Sequence, residues 1–235
     1  MTKDHANETA AQVHEDDLRR RAADDLKAAR TLAEAGRRAP LLGGEIYVIW
    51  GLAVAAALLV QWAIVVRLLD LSPWAIPVSW FALTGAAALV SWRFRAASRT
   101  HPGAAGVGNT VSGAVWRAAG LFLGVFAVTL FAAGLASPFD ADASGGERGR
   151  WIAAGFAMFT PASFGVYAIA MEASAAAAQA PWLRNFSRLS FAAMAATVVT
   201  AGAPIQHLIA AAGVITSLVL PGVLMMRRAQ GKSDD

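Results

Sequence analysis

The chain has 235 residues, of which 57% are hydrophobic and only 15% are charged, and its formal net charge is +4. A soluble globular domain carries about 25% charged residues, so the composition excludes that class and indicates a membrane protein. The chain has no cysteine, which excludes disulfides, thiolate metal sites and cysteine nucleophiles. We interpret the basic excess as loop residues that orient membrane helices, and we expect no nucleic-acid partner.

Residues 1–44 form a charged segment without the apolar stretch of a signal peptide, and we expect a cytoplasmic helix over residues 8–38. Several acid–base pairs in this segment stand four residues apart, and a narrow apolar stripe contains Leu18 and Leu26. One interpretation is a docking helix for a cytoplasmic protein or for a second copy of the chain. The other is a solvated helix without a partner. The candidate docking residues are Leu18, Leu26, Arg19, Arg20 and Arg21.

Residues 45–228 contain six long apolar segments, and we predict an all-α, polytopic transmembrane bundle of six helices. A helix needs roughly 20 mostly apolar residues to cross the hydrocarbon core of a bilayer. The fifth segment is the weakest, because Arg184 and Arg188 lie in its first two turns. The predicted helices are Ile46–Leu68, Trp74–Trp92, Val115–Leu135, Trp151–Met171, Trp182–Ala203 and Ile205–Met226.

The distribution of lysine and arginine predicts the orientation of this bundle. With the N-terminus inside, six helices place 17 of these residues on the cytoplasmic side and three on the opposite side. Cytoplasmic loops of membrane proteins are enriched in lysine and arginine. We therefore expect a multi-pass protein of the cell membrane with both termini, including the short tail 229–235, in the cytoplasm.

A regular spacing of tryptophans suggests an internal repeat. Trp50, Trp116 and Trp182 are 66 residues apart, and a proline follows each at the outer end of its helix. One interpretation is three tandem helical hairpins. The alternative is that tryptophan favours the membrane interface and proline favours helix ends, whatever the evolutionary origin of the helices.

The predicted membrane region has no charged residue at its midplane, which argues against a proton-coupled transporter with a buried acid. Uncharged polar residues do occur in its outer part. They either line an outward-facing pocket or form hydrogen bonds between helices. The candidate pocket residues are Gln61, Thr129, Gln206 and His207.

Catalytic and cofactor motifs are weak in this sequence. Ser163 and His207 resemble the pair of an intramembrane rhomboid protease, but Ser163 lacks the Gly-x-Ser-Gly context, and the two residues differ in depth by about 15 Å. The glycine-rich residues 103–110 lack the lysine of a phosphate-binding loop. The four histidines show no ligand spacing. We therefore expect no enzyme, metal or cofactor.

The sequence thus favours a non-enzymatic membrane protein that binds a regulatory or structural partner through its cytoplasmic N-terminal helix. A small-solute or lipid transporter and an intramembrane enzyme are the alternatives. The first relies on the charged N-terminal helix, the second on the outer polar residues, and the third has almost no residue-level support.

Overall fold

The computed structural model describes residues 18–31, 33–34, 41–98, 104–135 and 147–230, and within these ranges the chain is helical with short turns. Residues 18–31 form a helix ahead of the bundle. The bundle itself contains α1 Gly44–Val65, α2 Ala75–Ser98, α3 Val107–Leu135, α4 Glu147–Ala177, α5 Leu183–Val199, α6 Ile205–Val214 and α7 Leu220–Gln230. A π-helical segment, Ile215–Val219, joins α6 and α7 into one continuous rod, called the α6–α7 rod below.

Contacts between side chains give the direction of each helix. Gly44 at the start of α1 packs against Met226 near the end of α7, so these two helices are antiparallel. Helices α3 and α4 are also antiparallel, because the hydroxyls of Ser112 and Ser174 bond near the start of one helix and the end of the other. Both ends of the described bundle therefore lie on the same side.

Helix α5 runs along part of α4 in the opposite direction. Near its start the Ser187 hydroxyl donates to the carbonyl of Ala168, and further along Met194 packs on Gly165. Beyond its end, Gln206 at the start of α6 reaches Ala157, which lies ten residues into α4. Helix α5 thus joins the end of the bundle where α4 finishes to the opposite end, where α6 begins.

Five helices of the described chain are long and apolar enough to cross a membrane: α1, α2, α3, α4 and the α6–α7 rod. The sequence predicted six. The predicted fifth segment is a helix, but α5 has only 17 residues, and Arg184 and Arg188 interrupt its apolar character. The structure therefore supports an all-helical protein with five candidate membrane spans.

The predicted boundaries of α3 and α4 differ from the observed ones. Helix α3 starts at Val107 rather than Val115, and α4 ends at Ala177 rather than Met171. Apolarity marks only the part of a helix that crosses lipid. Beyond that part, the helix continues where its polar side chains form hydrogen bonds with a neighbouring helix. Ser112 and Ser174, which lie in these two extensions, bond to each other.

Glycine allows the backbones of α1 and α7 to meet. A β-carbon added to Gly222 would lie 2.7 Å from the carbonyl oxygen of Gly44, and one added to Gly51 would lie 2.6 Å from Val219. Gly120 and Gly124 of α3 stand four residues apart, a spacing typical of close helix packing, but an added β-carbon there would meet no atom within 4 Å. On α3 the close approach lies instead at Gly108, where an added β-carbon would lie 2.8 Å from Ala178.

Pro221 accounts for the π-helical segment. Its ring cannot donate to the carbonyl of Ser217, four residues before it, and would clash with that carbonyl in a regular α-helix. The wider π-turn over Ile215–Val219 ends just before this proline and relieves the clash. Pro221 is itself buried, so the irregularity lies inside the bundle.

The three predicted hairpins pack unequally. Helices α1 and α2 pack on each other, as do α3 and α4, but α5 packs more extensively on α4 than on α6. The third hairpin is therefore not a separate packing unit. The internal sequence repeat stays a prediction.

Candidate functional site

Among the candidate pocket residues, Gln206 is the one with the most hydrogen bonds. Its amide nitrogen Nε2 donates to the carbonyl of Ala157 at 2.8 Å and to that of Thr197 at 3.1 Å. Its oxygen Oε1 accepts from the backbone N–H of Gly202 at 3.1 Å. The side chain is buried, so these bonds replace water completely. Gln206 therefore ties three backbone segments together at the end of the bundle where α6 begins.

Two of these backbone groups, the carbonyls of Ala157 and Thr197, lack the N–H donor that a regular α-helix would supply. In α4 the carbonyl of Ala157 would accept from residue 161, but Pro161 has no N–H. The carbonyl of Thr197 lies in the last turn of α5. The N–H of Ala201, which would donate to this carbonyl in a longer helix, donates instead to the carbonyl of Val198. A buried backbone group without a hydrogen-bond partner costs about 1–3 kcal/mol. Gln206 thus compensates both the proline in α4 and the end of α5.

The other three candidate pocket residues have separate surroundings. The oxygen Oε1 of Gln61 accepts from the indole N–H of Trp80 at 2.8 Å, which links α1 to α2. Thr129 is exposed on α3. The ring nitrogen Nδ1 of His207 lies 3.1 Å from the carbonyl of Pro204 in its own turn. No hydrogen bond among the described residues joins any two of the four, and the pocket stays a prediction.

Ser163 belongs to α4 packing in the structure. Its hydroxyl donates to the carbonyl of Phe159 in the preceding turn at 2.8 Å. This is the usual bond of a serine inside an apolar helix, and His207 bonds in its own turn as well. Neither bond connects a nucleophile to a base.

Sequence reasoning missed a buried polar cluster near the starts of α1 and α3 and the end of α4. The Tyr47 hydroxyl and the indole N–H of Trp116 are buried beside Ser112 and Ser174, and neither has a hydrogen-bond partner among the described residues. Tyr47 and Trp116 pack edge to face with ring centroids 4.8 Å apart, and Trp116 also lies against Tyr167. Ser112 lay outside the predicted third helix, so no sequence signal placed it in the bundle.

Two charged contacts connect the ends of α4, α5 and α7 on the side of the bundle where α1 begins. The Oε1 of Glu172 lies 3.1 Å from Nε of Arg184. Both side chains are about half exposed. The guanidinium of Arg228 stacks 4.5 Å from the ring centroid of Trp182, the residue before α5. These contacts hold α4, α5 and α7 together at the rim of the bundle.

The candidate docking residues lie on the exposed helix of residues 18–31. Leu18 is 52% exposed and Leu26 is 71% exposed. Arg19, Arg20 and Arg21 are exposed as well. Glu34 pairs with Arg30 at 3.2 Å. The other acid–base pairs four residues apart, between positions 15–17 and 19–21 and between 34 and 38, include residues outside the described ranges.

Neither a protein-family model, nor a curated protein, nor a solved structure matches this chain. Among the described residues, no group of three or more histidine, aspartate or glutamate side chains is placed to hold a metal ion. The functional conclusion therefore has to come from the residues and contacts above.

Proposed function

We propose that the chain crosses the cell membrane six times, with both termini in the cytoplasm. The supporting observation is the path of α5, which runs antiparallel to α4 and joins opposite ends of the bundle. Its 17 residues stand at the lower limit for a membrane-spanning helix. The same topology places 17 of the 20 lysine and arginine residues inside, as the distribution of basic loops favours.

Labelling with a membrane-impermeant thiol reagent tests the path of α5, since the natural chain has no cysteine to interfere. We expect Gln179→Cys, in the turn before α5, to react with reagent added outside the cell only after the membrane is permeabilised. Ala201→Cys, in the turn after α5, should react in intact cells. Equal accessibility of the two positions from one side would contradict a spanning α5.

We further infer that the N-terminal helix docks a cytoplasmic protein, in a non-enzymatic role for the chain as a whole. The observation that carries this proposal is the exposure of Leu18 and Leu26, which lie on one face of the helix of residues 18–31. Inside the bilayer an exposed leucine faces lipid, but ahead of the bundle it faces water. Amphipathic helices with such anchors bind into apolar grooves of partner proteins.

The charge of this helix indicates the chemistry of the partner. Residues 18–31 contain five basic and two acidic side chains. A second copy of the same helix would bring like charges together, whereas a groove rimmed by carboxylates would complement them. We therefore favour a cytoplasmic protein with an acidic-rimmed apolar groove over self-association.

Photo-crosslinking in cells tests this docking helix. A crosslinker at position 26, on the leucine face, should give an adduct that the matched position Thr31, on the opposite face, does not give. Changing Arg19, Arg20 and Arg21 together to glutamine should weaken the adduct several-fold, because each basic side chain then loses its acidic partner. An adduct with the mass of two chains, or equal adducts at both positions, would rule the proposal out.

Solute transport has weaker support from the contacts. The nitrogen and the oxygen of the Gln206 amide already bond to backbone groups, and the oxygen of the Gln61 amide already accepts from Trp80. His207 is the candidate pocket residue whose bond lies within its own turn.

A further inference from the structure

Helix α5 has an exposed apolar stripe that begins with an arginine. Arg188, Ala192, Ala195 and Val199 follow one another at spacings of four, three and four residues, so they share one helix face. All four are exposed, and Val199 is 86% exposed. A face of this composition on a helix beside α4 is directed at lipid, and Arg188 is its cationic end.

Arg184 lies one turn before Arg188 and borders the same face. Its Nε contacts Glu172 at 3.1 Å, which leaves the remaining N–H donors of its guanidinium available. Among the described residues no carboxylate lies within salt-bridge distance of Arg188. Glu172 therefore neutralises the charge of Arg184, whereas no carboxylate in the described part of the chain neutralises that of Arg188.

The depth of Arg188 matches the headgroup region. The neighbouring Ser187 bonds to Ala168 of α4, at the level where Tyr167 lies against Trp116. Trp182, six residues before Arg188, stacks with Arg228 and indicates the boundary between lipid tails and headgroups, where tryptophan side chains concentrate. A long arginine side chain at this level reaches the phosphates while its stem stays against the tails.

We propose that Arg188 and Arg184 bind the phosphate of an anionic phospholipid of the cytoplasmic leaflet. Residues four apart on a helix have β-carbons about 5–6 Å apart, so both guanidinium groups can donate to one phosphodiester. The short α5 favours this occupant, because its charged first turns must lie close to the headgroups if the helix is to cross. The site rests on the six-crossing topology proposed above.

Native mass spectrometry of the purified full chain tests the site with phosphatidylglycerol and phosphatidylcholine as probes. We expect the natural chain to retain phosphatidylglycerol in preference. Arg188→Gln should lower its affinity for phosphatidylglycerol about fivefold, as the loss of one basic contact implies, and leave that for phosphatidylcholine unchanged. Arg188→Lys should keep most of the preference, which separates the loss of charge from a folding defect.

Arg117→Gln is the matched control, because Arg117 is exposed on α3 next to Trp116, at the same level, but has no second arginine one turn away. We expect less than a twofold change there. Equal losses for the Arg117 and Arg188 variants would show general attraction to basic residues and overturn the site. Displacement of the lipid by inorganic phosphate at equal concentration would show a simple anion site instead.

The topology and the lipid site fail in different ways. If Gln179→Cys and Ala201→Cys react from the same side, α5 does not cross and the topology is wrong. If they react from opposite sides and Arg188→Gln still retains phosphatidylglycerol as the natural chain does, the lipid site alone is wrong.

Discussion

The α6–α7 rod and α3 contain equally apolar membrane-spanning stretches. In the rod 50% of the residues of that stretch are buried inside the protein, whereas in α3 only 6% are buried. In water such sequences would compete for the same core. In a bilayer lipid solvates both, so apolarity does not decide which helix lies at the centre. The difference lies in glycines that allow close approach and in polar side chains that bond to other helices. The rod has both along its length, whereas α3 has them only near its start, at Gly108 and Ser112, and turns Gly120 and Gly124 outward.

The largest effect should come from filling the contact between α1 and the rod. Gly222→Ala would place a methyl group 2.7 Å from the carbonyl oxygen of Gly44, and we expect a loss of about 3 kcal/mol in the free energy of unfolding. Gly120→Ala, on the open face of α3, should leave stability unchanged or raise it slightly through helix propensity. Unfolding with a denaturing detergent measures both.

If both glycine variants lose stability equally, the contrast between the central rod and α3 is false. Such a result would mean that the outer face of α3 is covered in the membrane.

A smaller effect should follow from Gln206→Ala, which leaves the carbonyl of Ala157 and that of Thr197 without a donor. We expect a loss of about 2 kcal/mol in the same assay, since each orphaned group costs about 1 kcal/mol. Pro161→Ala restores the N–H that serves Ala157 within α4. The loss from Gln206→Ala should therefore be smaller in the Pro161→Ala background, and additive losses would speak against the compensation described here.

The smallest effect should distinguish bonds between helices from bonds within one helix. Ser187→Ala removes the bond from α5 to Ala168 of α4, and we expect a loss of about 0.6 kcal/mol. Thr84→Ala removes a bond to Trp80 within α2 and should change stability by less than half as much. Equal changes would mean that interhelical bonds do not distinguish the centre from the periphery.

The helices themselves follow from the sequence more directly than their arrangement. All six predicted segments are helical, because runs of about 20 apolar residues can satisfy their backbone groups in lipid only within a helix. The sequence predicted six membrane spans and the described chain has five candidates for one reason: Arg184 and Arg188 shorten the apolar part of α5 to near the minimum length of a membrane-spanning helix. Hydropathy does not describe the packing of one helix on another, and it is packing on α4 that fixes the path of the short α5.

The candidate site was harder to predict than the fold. Gln206 and Gln61 are visible as polar residues among apolar ones, but the sequence cannot say whether their amides face a cavity or a backbone. The presence of Pro161 inside a predicted helix was the available signal, since it implies an unpaired carbonyl that needs a donor. The cluster around Tyr47 gave no such signal, because its serines lie where the chain leaves the apolar region.

The bond between Gln206 and Ala157 has a consequence for inheritance. A lineage that replaces Gln206 exposes the carbonyl freed by Pro161, and a lineage that replaces Pro161 no longer needs the amide for that carbonyl. The two positions should therefore change together over time, although 45 residues separate them in the chain. Distant descendants of the same ancestor could then be recognised by a proline in the middle of the fourth helix and an amide in the first turn of the last, where overall similarity has faded.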